Sequence, residues 1–536
     1  MGVCSFPSGS PDAAARRGGA APAPGCRWPA AFPGRGLVAS PAWVCVIPAL
    51  VTLLVVLDQI QRPSFWRDEG ATLSAVHRSI PELLRMLGAV DVVHGAYYLL
   101  MWVVVRVAGS SELAVRFPSA VAMAVTAGVV TALGRRLVSV PAGFAAGLVF
   151  AALPNVTFYG QDAREYAMVA MLATIASYLL VRAMPAWPRR RRWLAAYGVT
   201  LAGLGLGNLL ALLLIPAHAL TLAFAVRGDP PGPSRRRLVH GWLAAAAAAL
   251  VVVSPVALIG WRQRAQIAWI KPLNVRLVTG LEQLLGPPAM VSVVLVIVAA
   301  AAAVTIMRGR PRPGVDRLTR LPALCLPWLL LPPAVLLTAS LVHPVYSLRY
   351  IVFCTPAAAL LIGTAVAALG TAAARAAEGK VTRPGPAGWA AGTAALALIV
   401  LAALPEQAGL RTHGSHGQDL RRLSAVLSRT AHPGDAVYFF TRNSRAFFYA
   451  YPHGYRKLRD ISLARNAVAS TTLFGTNAGV PVIRRRLQTV ASLWVIEASR
   501  APLTVPALTG QGFGLAHQRH IHGIWLLRYV RLDPVA

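Results

Sequence analysis

The sequence predicts a polytopic α-helical membrane protein with a small α/β domain at its C-terminal end. Three observations predict it. Of 536 residues, 56% are hydrophobic and the mean hydropathy is +0.57, too apolar for an ordinary soluble chain. Apolar runs recur from residue 37 to residue 405, many of them near the roughly 20 residues that a bilayer crossing requires. Beyond residue 405 the pattern changes to short amphipathic and apolar segments of the kind that build a soluble sheet and its covering helices.

The elements follow in order. Residues 1–36 are rich in Gly, Pro, Ala and Arg without periodicity and read as a disordered cytoplasmic N-terminus. They lack a signal-peptide core and cleavage site, so Leu37 onward reads as an uncleaved first span of a transmembrane region over residues 37–405. Apolar runs fall near 37–60, 94–109, 113–134, 140–158, 166–184, 193–226, 240–260, 286–307, 321–342, 351–370 and 388–405. The 193–226 run is long enough for two short spans with a turn near Gly205–Asn208. Basic clusters stand at Arg16/Arg17, Arg135/Arg136, Arg189–Arg192, Arg235–Arg237, Arg308/Arg310/Arg312 and Arg375/Lys380/Arg383, and the positive-inside rule places all of them in the cytoplasm. A span at 94–109 would force two of these clusters outside. That segment, short and carrying His94 and Arg106, therefore reads as an interfacial or re-entrant helix. The remainder is about 11 spans, with the N-terminus inside and the C-terminus outside.

Residues 406–536 are the only sizeable soluble region, enough for one small α/β domain. Gln418–Thr430 and Pro481–Val490 read as helices, and Ala436–Thr441 and Ser492–Glu497 as short buried strands. The region holds seventeen Arg and Lys against six Asp and Glu, a balance suited to an anionic membrane surface or acidic glycan, or simply to a solvated basic face. The whole chain has a formal net charge of +33, which in a soluble protein would suggest nucleic acid. Here the basic residues mostly occupy short loops between apolar runs, so the partner they imply is the lipid bilayer and not nucleic acid. The preference for Arg over Lys, with abundant Ala, Gly and Pro, suggests a high-GC genome such as an actinobacterium's. None of the five Cys lies after Cys354, and no Cys or His spacing reads as a zinc site.

The acidic residues carry further information. Asp58, Asp68, Glu69, Glu82, Asp91, Glu112, Asp162, Glu165 and Glu282 all fall on the outer side of this topology, although acids contribute little to orientation. Adjacent carboxylates at the mouth of a span, as in Ser64-Phe65-Trp66-Arg67-Asp68-Glu69-Gly70, are costly near lipid and mark either a functional site or a solvated acidic loop. Three further outer stretches hold unusual residues: Tyr159-Gly160-Gln161-Asp162-Ala163-Arg164-Glu165-Tyr166, the 261–285 stretch with Trp261, Gln266, Trp269 and Lys271, and His343-Pro344-Val345-Tyr346-Ser347-Leu348-Arg349-Tyr350.

At these residues the chain resembles the polyprenyl-phosphate-dependent glycosyltransferases of the C fold (GT-C). The likeness is to the bacterial branch grouped with the dolichyl-phosphate-mannose protein mannosyltransferases and the lipid A aminoarabinose transferase. It rests on the Asp68-Glu69 pair after the first span, His94 and the paired Tyr97 and Tyr98, and Arg116-Phe117-Pro118-Ser119. The Gln161-Asp162-x-x-Arg164-x-Tyr166 loop and Arg349-Tyr350 before a late span complete it, over roughly residues 43–405. Where that family has prolines after the His, this chain has Gly95-Ala96.

The resemblance implies a GT-C-like fold with periplasmic juxtamembrane helices, and a sugar moved with inversion from a polyprenyl-monophosphate carrier to an acceptor hydroxyl outside the cytoplasmic membrane. Asp68 would be the general base, with Glu69 orienting it or holding the acceptor. Arg349 would bind the donor phosphate, with Tyr350 either assisting or belonging to the aromatic belt. His94, Gln161, Asp162, Arg164, Tyr166, Trp269 and Lys271 would contact sugar or acceptor, Asp162 and Arg164 having a structural ion pair as the alternative. No metal is required, although Asp68, Glu69 and Asp162 form a ligand set suited to Mg or Mn. Mannose, arabinose, galactose and an amino sugar are all compatible donors, and a glycan, lipid or protein a compatible acceptor. The rival class is a transporter or lipid flippase, favoured by Asn208, His218 and prolines inside spans. The one-sided acids and the lack of an internal repeat argue against it.

Overall fold

The computed structural model describes residues 42–184, 189–227, 232–273, 284–307, 317–378, 385–497 and 505–532. The predicted N-terminal disorder, Glu282, and the basic residues at 308–312, 380 and 383 lie outside them. The first helix, α1 (Trp43–Leu57), leads through residues 58–66 into three short helices, α2 (Arg67–Val76), α3 (Ile80–Ala89) and α4 (Gly95–Ala108). The long α5 (Glu112–Leu137) follows, capped by the Ser111 hydroxyl, with Glu112 in its first turn and Arg135 and Arg136 in its last, as the helix dipole favours.

Next come α6 (Val140–Ala152) and α7 (Pro154–Gly160), bent by 62° where Pro154 has no amide to continue the ladder. They are followed by α8 (Tyr166–Ala183), α9 (Arg190–Gly207), α10 (Leu214–Val226), α11 (Pro233–Arg262), α12 (Pro288–Met307), α13 (Arg317–Ser340), α14 (Thr355–Glu378) and α15 (Pro386–Leu410). The long 193–226 run breaks at Asn208, whose side chain accepts the Leu210 amide at 3.0 Å.

Helices thus stand at each position where an apolar run predicted a span, but fewer qualify as crossings. Among the described residues, seven are long and apolar enough, eight if the bent α6–α7 pair counts as one. The count of eleven is therefore not reached by this measure. The 15-residue α1 is short, Pro288–Val304 likewise, and α9 opens on Arg190, Arg191 and Arg192. Small residues let the helices approach closely. A Cβ on Gly363 of α14 would collide with the Ala146 backbone of α6, the kind of contact that drives association where lipid removes the hydrophobic advantage. The segment predicted as interfacial forms α4. Its Leu99, Leu100, Val103 and Val107 are exposed, while Tyr97, Tyr98 and Met101 are buried against neighbouring helices.

The C-terminal region adds α16 (Leu420–Thr430), α17 (Ala446–Ala450), α18 (Val480–Leu487) and strands β1 (Ala436–Phe439), β2 (Arg459–Asp460), β3 (Leu463–Arg465), β4 (Thr476–Asn477), β5 (Ser492–Glu497), β6 (Phe513–Ile521) and β7 (Ile524–Arg531). Its main sheet runs β2-β1-β5-β7-β6, with β1 parallel to β2 and β5, and with β7 antiparallel to both β5 and β6. All six residues of β5 are buried, since strand alternation sends Leu493 and Val495 to one face and Trp494 and Ile496 to the other. The first face packs against α18. The second shares one apolar cluster with α16, Phe65, Leu73, Tyr98 and Met101, so the sheet and the α2–α4 layer have a common core.

The β6–β7 hairpin was not predicted. Its turn signal is only His522-Gly523, with Gly523 at φ +76°, and β6 is too polar and exposed to show a core-facing alternation.

Candidate active site

The Asp68-Glu69 pair lies in the first turn of a helix and not on an extended loop. Trp66 is its N-cap, and the Trp66 amide donates to Glu69 Oε2 at 3.4 Å. Carboxylates at this end are favoured by the helix dipole. Consecutive helical residues point about 100° apart, so the two acids part company. Glu69 turns inward with no exposure and accepts both Arg116 Nε and Nη2 at 2.7 Å, plus the Ala163 amide at 2.9 Å. Arg116 also donates to the carbonyls of Ile60, Pro63 and Ser64. Glu69 has no oxygen left for an acceptor.

Asp68 turns the other way. Its Oδ2 accepts Arg349 Nη1 at 2.7 Å, and Arg67 Nε lies 3.5 Å from Oδ1. Burial acts to raise the Asp68 carboxyl, but Arg164, Arg349 and Arg67 together outweigh it and hold the group below its ordinary range, so it is ionised at neutral pH. Arg349 comes from the tight turn Leu348–Cys354 ahead of α14. Its guanidinium sits between two indoles, 5.6 Å from the Trp66 ring and 5.2 Å from the Trp269 ring. The side chains of Arg349 and Asp68 are 23% and 16% exposed, which leaves the pair reachable.

The 161–165 loop forms the floor. Asp162 is buried; Oδ1 accepts Trp66 Nε1 at 3.1 Å, and Oδ2 has no hydrogen-bond partner. Burial, reinforced by the Glu69 charge, pushes its carboxyl well above the ordinary range. Arg164 donates to His94 Nε2 at 3.1 Å, and His94 Nδ1 lies 3.2 Å from Glu165 Oε1. His94 thus lies between the Arg164 guanidinium and the Glu165 carboxylate. Burial opposes ionisation of Glu165, yet Arg164 and His94 bring its carboxyl down to about 2. Tyr166 is buried and faces the Arg349 guanidinium, and the half-buried Tyr350 lies among the charges of Arg349, Glu165, Arg164 and Asp68.

The geometry thus joins Asp68, His94, Asp162, Arg164, Tyr166, Trp269, Arg349 and Tyr350. It separates three others from them. Gln161 donates from Nε2 to the Val56 and Asp58 carbonyls at 2.8 and 3.0 Å, fastening the end of α1. Glu69 is a buried strut, and Lys271 is exposed at the surface. The Asp68, Glu69 and Asp162 set does not fit a metal, because Arg116 and the Ala163 amide occupy Glu69; among the described residues no three metal-ligating side chains converge.

Sequence reasoning gave no site role to Arg116, Glu165, His416 or Tyr451. Arg116 could have been found as a charge inside an apolar helix. His416, stacked on Phe158 at 4.5 Å and 5.8 Å from Trp66, left no local signal.

Comparison with known proteins bears on the fold. Residues 96–259 match the family described as dolichyl-phosphate-mannose-protein mannosyltransferase. The fold is similar to ArnT from Cupriavidus metallidurans in the apo state, with a TM-score of 0.58 at 15% identity over 91% of this chain and 97% of that one. The same protein bound to undecaprenyl phosphate gives 0.56 at 16% identity over 91% and 98%. The archaeal oligosaccharyltransferase AglB from Archaeoglobus fulgidus, in complex with an inhibitory peptide and a dolichol-phosphate, gives 0.51 at 11% identity over 84% and 69%. No curated protein sequence matches the chain. Part of the chain thus matches the mannosyltransferase family model, and its fold is that of the multi-pass membrane glycosyltransferases of the C fold. The resemblance read from the loop motifs is borne out at that level.

Proposed function

We propose that the protein moves a sugar from a polyprenyl-monophosphate carrier to an acceptor hydroxyl on the outer side of the cytoplasmic membrane, inverting the anomeric centre. The observation that carries this reading is the Arg349–Asp68 pair, an ionised carboxylate and a guanidinium 2.7 Å apart and still partly exposed. The neighbour crystallised with undecaprenyl phosphate supports a lipid-borne donor.

In the proposed reaction the donor phosphate competes with Asp68 for Arg349, whose fork suits phosphate oxygens. Drawing Arg349 away leaves Asp68 free to accept the acceptor's proton. The acceptor oxygen then bonds to the anomeric carbon, and the bond to the phosphate oxygen breaks with its electron pair. Arg349 stabilises the charge that grows on the departing phosphate. Asp162 offers its unpartnered Oδ2 to a sugar hydroxyl, while Trp66 holds its other oxygen. A cavity of about 500 Å³ lined by Arg262, Arg264, Ile270 and His343 lies along the segment that carries Trp269.

Arg349→Lys tests the donor contact, because it keeps the charge and removes the fork. We expect kcat/KM for the donor to fall about 10- to 100-fold, roughly 1.4–2.7 kcal/mol, with the folded yield unchanged. Unchanged kinetics would remove Arg349 from the donor site. The proposed orientation has its own check. A reporter fused after Ala536 is expected to be active only outside the cytoplasm and one at Pro230 only inside; both on one side would contradict the eleven-span arrangement.

A further inference from the structure

Residues 61–66 lead from the end of α1 to the helix that bears Asp68; Arg116 holds the Pro63 and Ser64 carbonyls from one side, and groups from beyond residue 405 hold the segment from the other. The Tyr451 hydroxyl accepts the Phe65 amide at 3.0 Å and donates to Glu112 at 2.7 Å. Arg421 donates to the Gln61 carbonyl at 2.6 Å, the Arg62 carbonyl at 3.2 Å and Glu112 at 2.8 Å. The Ser64 amide donates to the His413 carbonyl at 2.9 Å, and the Ser64 hydroxyl accepts the Arg421 amide at 3.0 Å.

The pattern continues into α2. The Arg67 amide, one of the donors that a helix start leaves without an intrahelical partner, donates to Gln418 Oε1 at 3.2 Å. One turn on, α2 lies flush against α17, where a Cβ on Gly70 would collide with the Ala446 carbonyl. Further along, the Ser74 hydroxyl donates to the Leu473 carbonyl and Arg78 to the Thr472 carbonyl. A domain that merely covered the site would not need to bind the backbone of the segment leading to the base at so many points.

Resting on the reading of Asp68 as the base, we infer that the C-terminal domain is a positioning component of the active site, and that Tyr451 is its central positioning residue. The Tyr451 hydroxyl fixes Phe65, three residues before Asp68, and so sets the place of the carboxylate relative to Arg349. Such placement matters because transfer rates are sensitive to misplacements on the order of 1 Å.

Three cationic groups face Asp68: Arg67 on its own helix, Arg164 from the 161–165 loop, and Arg349 from the turn before α14. They hold the Asp68 carboxyl below its ordinary range, so a loosened segment moves the acid limb of the pH profile upward. A merely smaller folded fraction lowers the rate without moving that limb.

The test uses the full chain in lipid nanodiscs. It measures kcat, donor KM and the pH profile for wild type and Tyr451→Phe, with amide hydrogen exchange of both. We expect kcat to fall about tenfold with donor KM changed less than about twofold. The acid limb should shift to higher pH, and residues 61–69 should exchange faster while the β6–β7 hairpin stays as protected as before. Faster exchange with an unmoved kcat and limb would overturn the inference, as would no change in any readout. Arg421→Ala removes the donors to the Gln61 and Arg62 carbonyls and serves if Tyr451→Phe does not fold; the same shifts, smaller in size, are expected, and their absence overturns it equally. Failure of the underlying reading shows separately, as Asp68→Asn transferring sugar as fast as wild type.

Discussion

Asp68→Asn is expected to lower sugar transfer by about 10²–10⁴-fold, the range a positioned general base contributes. The replacement keeps size and shape and removes only the capacity to take a proton. Folding should survive it, because Asp68 is partly exposed and its main partner Arg349 remains sandwiched by Trp66 and Trp269. Donor affinity separates this account from one in which Asp68 merely binds substrate. With the carboxylate gone, Arg349 no longer has to leave an ion pair to reach a phosphate, so the donor should bind at least as tightly as in wild type. Weaker donor binding in proportion to the lost rate would make Asp68 a ligand contact and not a base.

The second large effect is on stability. Arg116→Ala would leave the Glu69 carboxylate uncompensated at zero exposure, a loss of about 3–5 kcal/mol for a buried pair broken on one side. It would also strip donors from the Ile60, Pro63 and Ser64 carbonyls, so the 60–66 segment would lose its inner anchor while Tyr451 and Arg421 still held its outer side. The purified protein is expected to melt well below wild type, or to be degraded in the cell. Arg116→Leu combined with Glu69→Leu should recover part of the lost stability, since replacing both charges removes the charge-burial penalty but not the loss at the three carbonyls and the Ala163 amide. Equal melting temperatures for wild type and Arg116→Ala would mean that the pair does not anchor this region.

These two predictions show how far the sequence could be read. Apolar runs located the helices, and the break in the 193–226 run fell at Asn208, whose side chain caps the next turn. The loops that carry Asp68, Asp162 and Arg349 were legible because charged and aromatic residues stand out against apolar flanks. Their mutual distances were not legible, since Asp68 and Arg349 are 281 residues apart and meet only through packing. Nor could the sequence separate Asp68 from Glu69. The two are chemically alike, and what divides them is helical phase together with Arg116, 47 residues away from Glu69. Gln161 looked like a sugar contact for the same reason that it caps α1: an amide at the end of an apolar run suits a sugar hydroxyl or a helix's orphan carbonyls equally.

The count of eleven crossings is not reached by helix length and apolarity, because hydropathy does not register where a helix starts. Arg190–Arg192 enter the first turn of α9 and shorten its apolar length. The C-terminal domain hid its contribution most fully. Tyr451 and Arg421 resemble ordinary polar residues of a soluble fold, and only the shared core with α2 and α4 brings them against the 61–66 segment.

The most direct test of the central claim is sugar transfer in membranes expressing the chain, supplied with a panel of radiolabelled polyprenyl-monophosphate sugars and compared with Asp68→Asn at matched expression. The account predicts that label passes from one donor to an acceptor and that this transfer is lost with Asp68→Asn. Equal labelling by the two proteins would contradict it.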